Sequence, residues 1–155
     1  MNESRTYQIE RLAGEGSTKK LLEVLSETYT QEEMDMALCN ALAYSRIETC
    51  EQLISMGADI SWGNHNGVYY AVHNDEIDGL MYSISKGVDL NTENGMILNT
   101  AVMTATNTKN NSMVKWILES GGDPKLLSQD SLNTVEKFGN EELKTIIRRF
   151  LDHQG

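Results

Sequence analysis

Cysteine, proline, phenylalanine and basic residues are scarce in this chain of 155 residues: two Cys, one Pro, two Phe, and 13 bases against 23 acids. Cys39 and Cys50 are too few for a disulfide framework and lack Cys-x-x-Cys spacing. They imply a reducing, cytoplasmic setting in which both thiols pack as small apolar groups on helices and stay inert. The first thirty residues scatter charge and hold no uninterrupted apolar block, so neither a signal peptide nor a membrane span is expected. No GxGxxG or GxxxxGK sequence is present, and Gly14-Glu15-Gly16 lies between two helical stretches, where it reads as a turn.

Chemistry is equally thinly marked. His65 and His73, with Asp75 and Glu76 beyond, straddle a turn and a helix, which suits a binding face better than a zinc site. No Ser-His-Asp or Cys-His signature occurs. The paired acids Glu32-Glu33, Asp75-Glu76 and Glu141-Glu142 fall at helix starts, where they complement the helix dipole. The chain is therefore expected to be non-enzymatic, with no cofactor and no metal.

What remains suffices for folding: 39% hydrophobic and 23% charged residues, in a length that buries roughly two-thirds of the unfolded surface in one domain. The acids are concentrated. Residues 31–90 hold ten of them against Arg46 and Lys86, which places −8 of the net −10 there. Such a field disfavours nucleic acid and acidic membranes and favours a partner with a basic surface.

A repeat organises the chain. ISMGADIS, ending at Ser61, returns as ISKGVDLN, ending at Asn91, and as LESGGDPK, ending at Lys125. Upstream of each glycine runs an apolar pattern at helical spacing: Ile47, Cys50, Leu53 and Ile54; Ile77, Leu80, Met81 and Ile84; Met113, Val114, Ile117 and Leu118. Each reads as an amphipathic helix closed by a left-handed glycine, Gly57, Gly87 or Gly121. A first helix rich in small residues precedes each one, over 37–45, 67–75 and 97–107, with Ala41, Ala71 and Ala101 in register. Between units, Asn66-Gly67 and Asn94-Gly95 predict hairpin-like bends.

This pattern resembles the ankyrin repeat. Ala37 to Ser61 matches that family's unit without a gap through Leu38, Ala41, Ile47, Glu48, Leu53, Ile54, Gly57, Ala58, Asp59 and Ile60. Gly67 to Asn91 follows through Ala71, Asn74, Ile77, Asp78, Ile84, Gly87, Asp89, Leu90 and Asn91. No unit keeps the family's Thr-Pro-Leu-His start, and the spacing from Gly57 to Gly87 is 30, short of the roughly thirty-three the family favours. A generic helical-repeat solenoid is the competing fold. The resemblance implies an all-α, ankyrin-like solenoid of paired antiparallel helices with short turn or hairpin fingers. It would form a single domain over 1–155, with repeats at 31–60, 61–90 and 91–124 and degenerate capping units at 4–30 and 125–152.

In ankyrin-like proteins partners are held by the finger tips and the concave surface of the first helices. Carried over, the fingers correspond to Trp62, His65 and Asn66 and to Thr92, Glu93 and Met96. The exposed ends of the first helices correspond to Ala43 with Tyr44, His73 with Asn74, and Met103 with Thr104. Tyr69 joins the aromatic group near one face, while Tyr70 and Trp116 are expected to pack in the core. The function expected is a monomeric adaptor or inhibitor that binds another protein. The alternative is an acidic nucleic-acid mimic that blocks a nucleic-acid-binding protein.

Overall fold

Side-chain caps set where four of the α-helices among the described residues begin. Ser4 accepts from the Tyr7 N–H, Ser128 from Ser131 and Asn140 from Leu143. Thr30 and Glu33 cap each other reciprocally, which satisfies two amide donors that a helix start leaves open. The structure, a computed structural model, describes residues 3–153; the outermost positions of the expected 1–155 domain, 1, 2, 154 and 155, lie outside the described residues.

The described residues form helices α1 (Arg5–Glu15), α2 (Thr18–Leu25), α3 (Gln31–Ala43), α4 (Ile47–Ser55), α5 (Trp62–His73) and α6 (Ile77–Ser85). They continue with α7 (Thr92–Thr108), α8 (Ser112–Glu119), a 3-10 turn (Pro124–Leu126), α9 (Gln129–Phe138) and α10 (Glu141–Asp152). No strand occurs among them. The chain divides into two compact units, Met1–Gly87 and Val88–Gly155.

In the first unit α1 packs on α3 and α3 on α5, while α2 packs on α4 and α4 on α6. Two helical hairpins, α3–α4 and α5–α6, turn through the same geometry. Ser45 and Asp75 take left-handed φ of 56° and 58°, and the following N–H groups of Arg46 and Glu76 return to the Ala41 and Ala71 carbonyls. Ala41 and Ala71 are fully buried, as their register requires. Leu38, Leu42 and Leu53 fill the centre with Leu12, Leu21 and Leu25.

Each second helix closes on a glycine, Gly57 at φ 105° and Gly87 at 98° in this unit. These values lie beyond the left-handed well near +57° that other residues visit. Beside Gly57, the buried carboxylate of Asp35 accepts the Asp59 N–H at 2.8 Å and the Gln31 amide at 2.9 Å, fixing the start of α3 to the closing turn. Gly87 has nothing within 4 Å of a would-be Cβ, so Gly87→Ala isolates the backbone effect. A loss of about 1 kcal/mol in chemical denaturation is expected there. Gly63→Ala, at φ 64° beside two non-glycine residues that adopt the same conformation, should lose less. Equal losses at both sites would count against this assignment.

The linking segments differ from the expected hairpin bends. Gly63, Asn64 and His65 take successive left-handed φ of 64°, 57° and 62°, and Glu93, Asn94 and Gly95 take 51°, 54° and 88°. Three left-handed residues in a row redirect the chain without a strand pair, and Asn66-Gly67 lies inside helix α5 instead of in a turn. Entry to each turn is held by an aspartate. Asp59 accepts the Ser61 N–H at 2.9 Å, and Asp89 accepts that of Asn91 at 2.8 Å.

In the second unit α7 packs on α8 and α9. Asn99 ties these parts together with all its polar capacity: its amide nitrogen donates to the Gly95 and Leu126 carbonyls, and its oxygen accepts from the Ser128 N–H and the Ser131 hydroxyl. Both cysteines are free and buried, in α3 and α4. Burial pushes their thiols up to about 11 at Cys39 and about 12 at Cys50, which keeps both protonated and unreactive.

Candidate functional site

A cavity of about 460 Å³ opens on the side of the first unit formed by α1, α3 and α5. Its size falls within the range of roughly 300–1,000 Å³ usual for ligand pockets. Helix α5 supplies the wall because its period buries Val68, Ala71 and Val72 and leaves the intervening positions outward. Tyr70 and His73 thus face the opening, with Trp62 contributed from just before the left-handed turn and Asn66 from just after it. Helix α3 supplies Asn40 and, at its end, Tyr44; helix α1 supplies Glu10.

The aromatic groups are positioned by contacts behind them. The Tyr44 ring lies over Gly14, where an added Cβ would come within 3.2 Å of the ring edge. His73 stacks on Tyr69 with ring centroids 5.7 Å apart and 17° between planes, and Tyr69 meets Tyr70 edge to face at 5.2 Å. Rings held in this way lose little further freedom on binding, which is the condition for a strong anchor.

Two amides on the wall are held by the backbone. Asn40 donates its amide to the Met36 carbonyl at 2.9 Å, and Asn74 donates to the Ala43 carbonyl at 2.9 Å. Contact with a carbonyl fixes the nitrogen end of each amide, so each retains its oxygen as an acceptor. No hydrogen bond or ion pair among the described residues engages Glu10, which is half-buried.

No family model matches the chain. It is similar to ankyrin repeat and KH domain-containing protein mask-1 of Caenorhabditis elegans, 23% identical over 129 residues, covering 80% of this chain and 5% of that protein. It is also similar to palmitoyltransferase ZDHHC17, 28% identical over 101 residues in both Danio rerio and Homo sapiens, covering 63% of this chain and 16% of the relative. The likeness to ankyrin-repeat-containing proteins is weak. Because the chain spans so small a share of these relatives, the transferase activity in the second name is that of the whole protein. Among the described residues no group of three His, Cys, Asp or Glu gathers for a metal, and no helix is long and apolar enough to cross a membrane.

Of the residues singled out in the sequence, the cavity gathers Tyr44, Trp62, Asn66, His73 and Asn74. His65 and Tyr69 do not line it; both are half-buried, Tyr69 behind His73. Thr92, Glu93, Met96 and Met103 belong to the second unit, where Glu93 and Met103 are exposed and Thr92 and Met96 half-buried. Ala43 and Thr104, expected at exposed helix ends, are buried instead. Tyr70, expected in the core, is 43% exposed, because Ala71 and not Tyr70 falls on the inner stripe of α5. Trp116 is half-buried in α8. Glu10 and Asn40 carried no sequence signal, since single polar residues on helices outside the repeat's finger positions look like any solvated side chain.

Proposed function

We propose that this chain is a non-enzymatic protein-interaction module of the ankyrin type, one repeat domain with units at 31–60, 61–90 and 91–124. The recurring local geometry supports this reading: the turns at Ser45 and Asp75, the closures at Gly57 and Gly87, and the left-handed triplets at 63–65 and 93–95 each repeat at an interval of 30. The weak likeness to a protein named for its ankyrin repeats points the same way. One observation carries the functional part. Tyr44, Tyr70 and Trp62 surround one cavity, and Tyr44 and Tyr70 stay about half exposed, although burying aromatic rings is worth more than almost any other apolar burial. Rings kept out of the core and grouped around a concavity are suited to anchoring a partner. The buried, unreactive thiols fit a reducing cytoplasm.

The test is site-directed photo-crosslinking in an extract of the native host. A photoreactive phenylalanine analogue at position 44 or 70 is expected to form a discrete adduct with one protein, competed away by unlabelled wild type. The same analogue at Lys115, exposed on α8, is expected to give none. Identical adducts from all three positions, or none from any, would count against the concave face as the binding surface.

A further inference from the structure

The cavity wall combines aromatic rings, hydrogen-bond acceptors and an unengaged carboxylate, and no lysine or arginine lines it. The amides of Asn40 and Asn74 each give one N–H to a backbone carbonyl, which leaves their oxygens as acceptors beside those of Glu10. The surrounding field has the same sign. Residues 1–87 carry 14 acids and six bases, and four of the six bases are committed elsewhere: Arg5 to Glu33, Arg11 to Glu3 and Glu15, Lys86 to Glu51 and Arg46 to the Gly14 carbonyl. A cation entering the cavity meets the Glu10 carboxylate on its wall.

Resting on the protein-binding reading above, we propose that this cavity receives an arginine side chain from a basic segment of the partner. Arginine fits better than lysine for a geometric reason. Its flat guanidinium can lie on a Tyr44, Tyr70 or Trp62 ring while its N–H groups point outward in the same plane towards acceptors. Lysine presents a compact, strongly hydrated charge that stacks less well and gives up more solvation on entry. Glu10 supplies the charge-assisted contact, and Asn40 and Asn74 supply neutral acceptors around it.

The probe is a short peptide, acetylated and amidated, with a single central arginine flanked by glycine and serine, beside matched peptides carrying citrulline or lysine. Each is titrated into the full chain at constant pH and salt and followed by two-dimensional nitrogen–proton NMR. The arginine peptide is expected to give saturable shifts at the Trp62 indole N–H and at the side-chain amides of Asn40 and Asn74. The citrulline peptide, equal in shape but neutral, should bind roughly tenfold more weakly, as loss of a charged hydrogen bond implies. The lysine peptide should fall between them.

Glu10→Gln should reduce arginine affinity roughly tenfold and leave the citrulline peptide unchanged, whereas Glu48→Gln, away from the cavity, should change neither. Citrulline binding as well as arginine, or non-saturating shifts spread over the surface carboxylates, would overturn the assignment. A protein adduct at position 44 without arginine-dependent shifts removes the guanidinium and leaves the protein-binding reading standing. Arginine-dependent shifts without any adduct do the reverse.

Discussion

Gly79→Ala is expected to destabilise the first unit by about 2 kcal/mol, against the usual gain of up to roughly 1 kcal/mol when alanine replaces a helical glycine. Gly79 lies in the first turn of α6, where the helix passes close to the end of α3. A Cβ there would sit 2.6 Å from the Leu42 carbonyl oxygen and 3.2 Å from the Ala71 Cβ and the Ser45 hydroxyl. The nearest obstacle is backbone, so no rotamer change relieves it. That backbone is also committed: the Leu42 carbonyl accepts the Ser45 N–H at 3.1 Å, and the Ser45 hydroxyl accepts the Gly79 N–H at 2.8 Å. Moving α6 away would break the contact that joins one hairpin to the next. The midpoint of chemical denaturation should fall with little change in slope, since the surface exposed on unfolding is the same. A rise in stability would mean that α6 does not approach α3 this closely.

Gly79 also marks where the sequence was legible and where it was not. The second helices and their closing glycines follow from apolar spacing and from the steric cost of positive φ, both local properties. The small residues in register, Ala41 and Ala71, were readable because they repeat. Gly79 does not repeat: position 49, thirty residues earlier, is threonine, buried and bonded to the Thr18 hydroxyl at 2.6 Å. Its role exists only once α6 lies against α3. The linking turns were misread for a related reason. Asn-Gly pairs signal a hairpin when strands flank them, but in 61–67 the glycine of that pair is the residue that enters the helix and packs 2.8 Å (as a notional Cβ) from Leu42. The left-handed bend falls earlier, on Gly63-Asn64-His65.

The cavity was half legible. Tyr44, Trp62 and His73 follow from the resemblance, whereas Tyr70 is expected in the core and instead faces outward. Counting from the buried pair Ala71 and Val72 at the helical period, with Val68 one turn back, leaves positions 69, 70 and 73 outward. The strict period thus overrides the preference of a large ring for the core. Glu10 comes to the cavity from α1, some thirty residues before the nearest other wall residue but Met36, a juxtaposition that packing alone creates.

Trp62→Ala is expected to weaken binding of the partner captured at position 44 by more than about 2 kcal/mol, roughly thirtyfold, as for an aromatic anchor at the centre of an interface. Trp62 is partly covered in the free protein, so its removal also costs folding stability, and the folded fraction has to be measured alongside. Tyr70→Ala avoids that ambiguity: the ring is 43% exposed and contributes little to the fold, yet it lines the same cavity. Both changes should lower affinity while salt has only a mild effect, because a charge held inside the cavity is screened far less than charges on the surface. A nucleic-acid mimic behaves in the opposite way. Its affinity would rest on the acids spread over 31–90, so replacing Glu48, Glu51, Asp75, Glu76 and Asp78 with amides would cost more than either aromatic change. Binding would then fall steeply between low and high salt. The two outcomes are separable within one titration series, since Glu51 and Glu48 lie on α4 and Asp78 on α6, none of them among the residues of the cavity wall. Affinity left intact by all of these changes would place the contact elsewhere, on the short turn of residues 109–111 that separates α7 from α8.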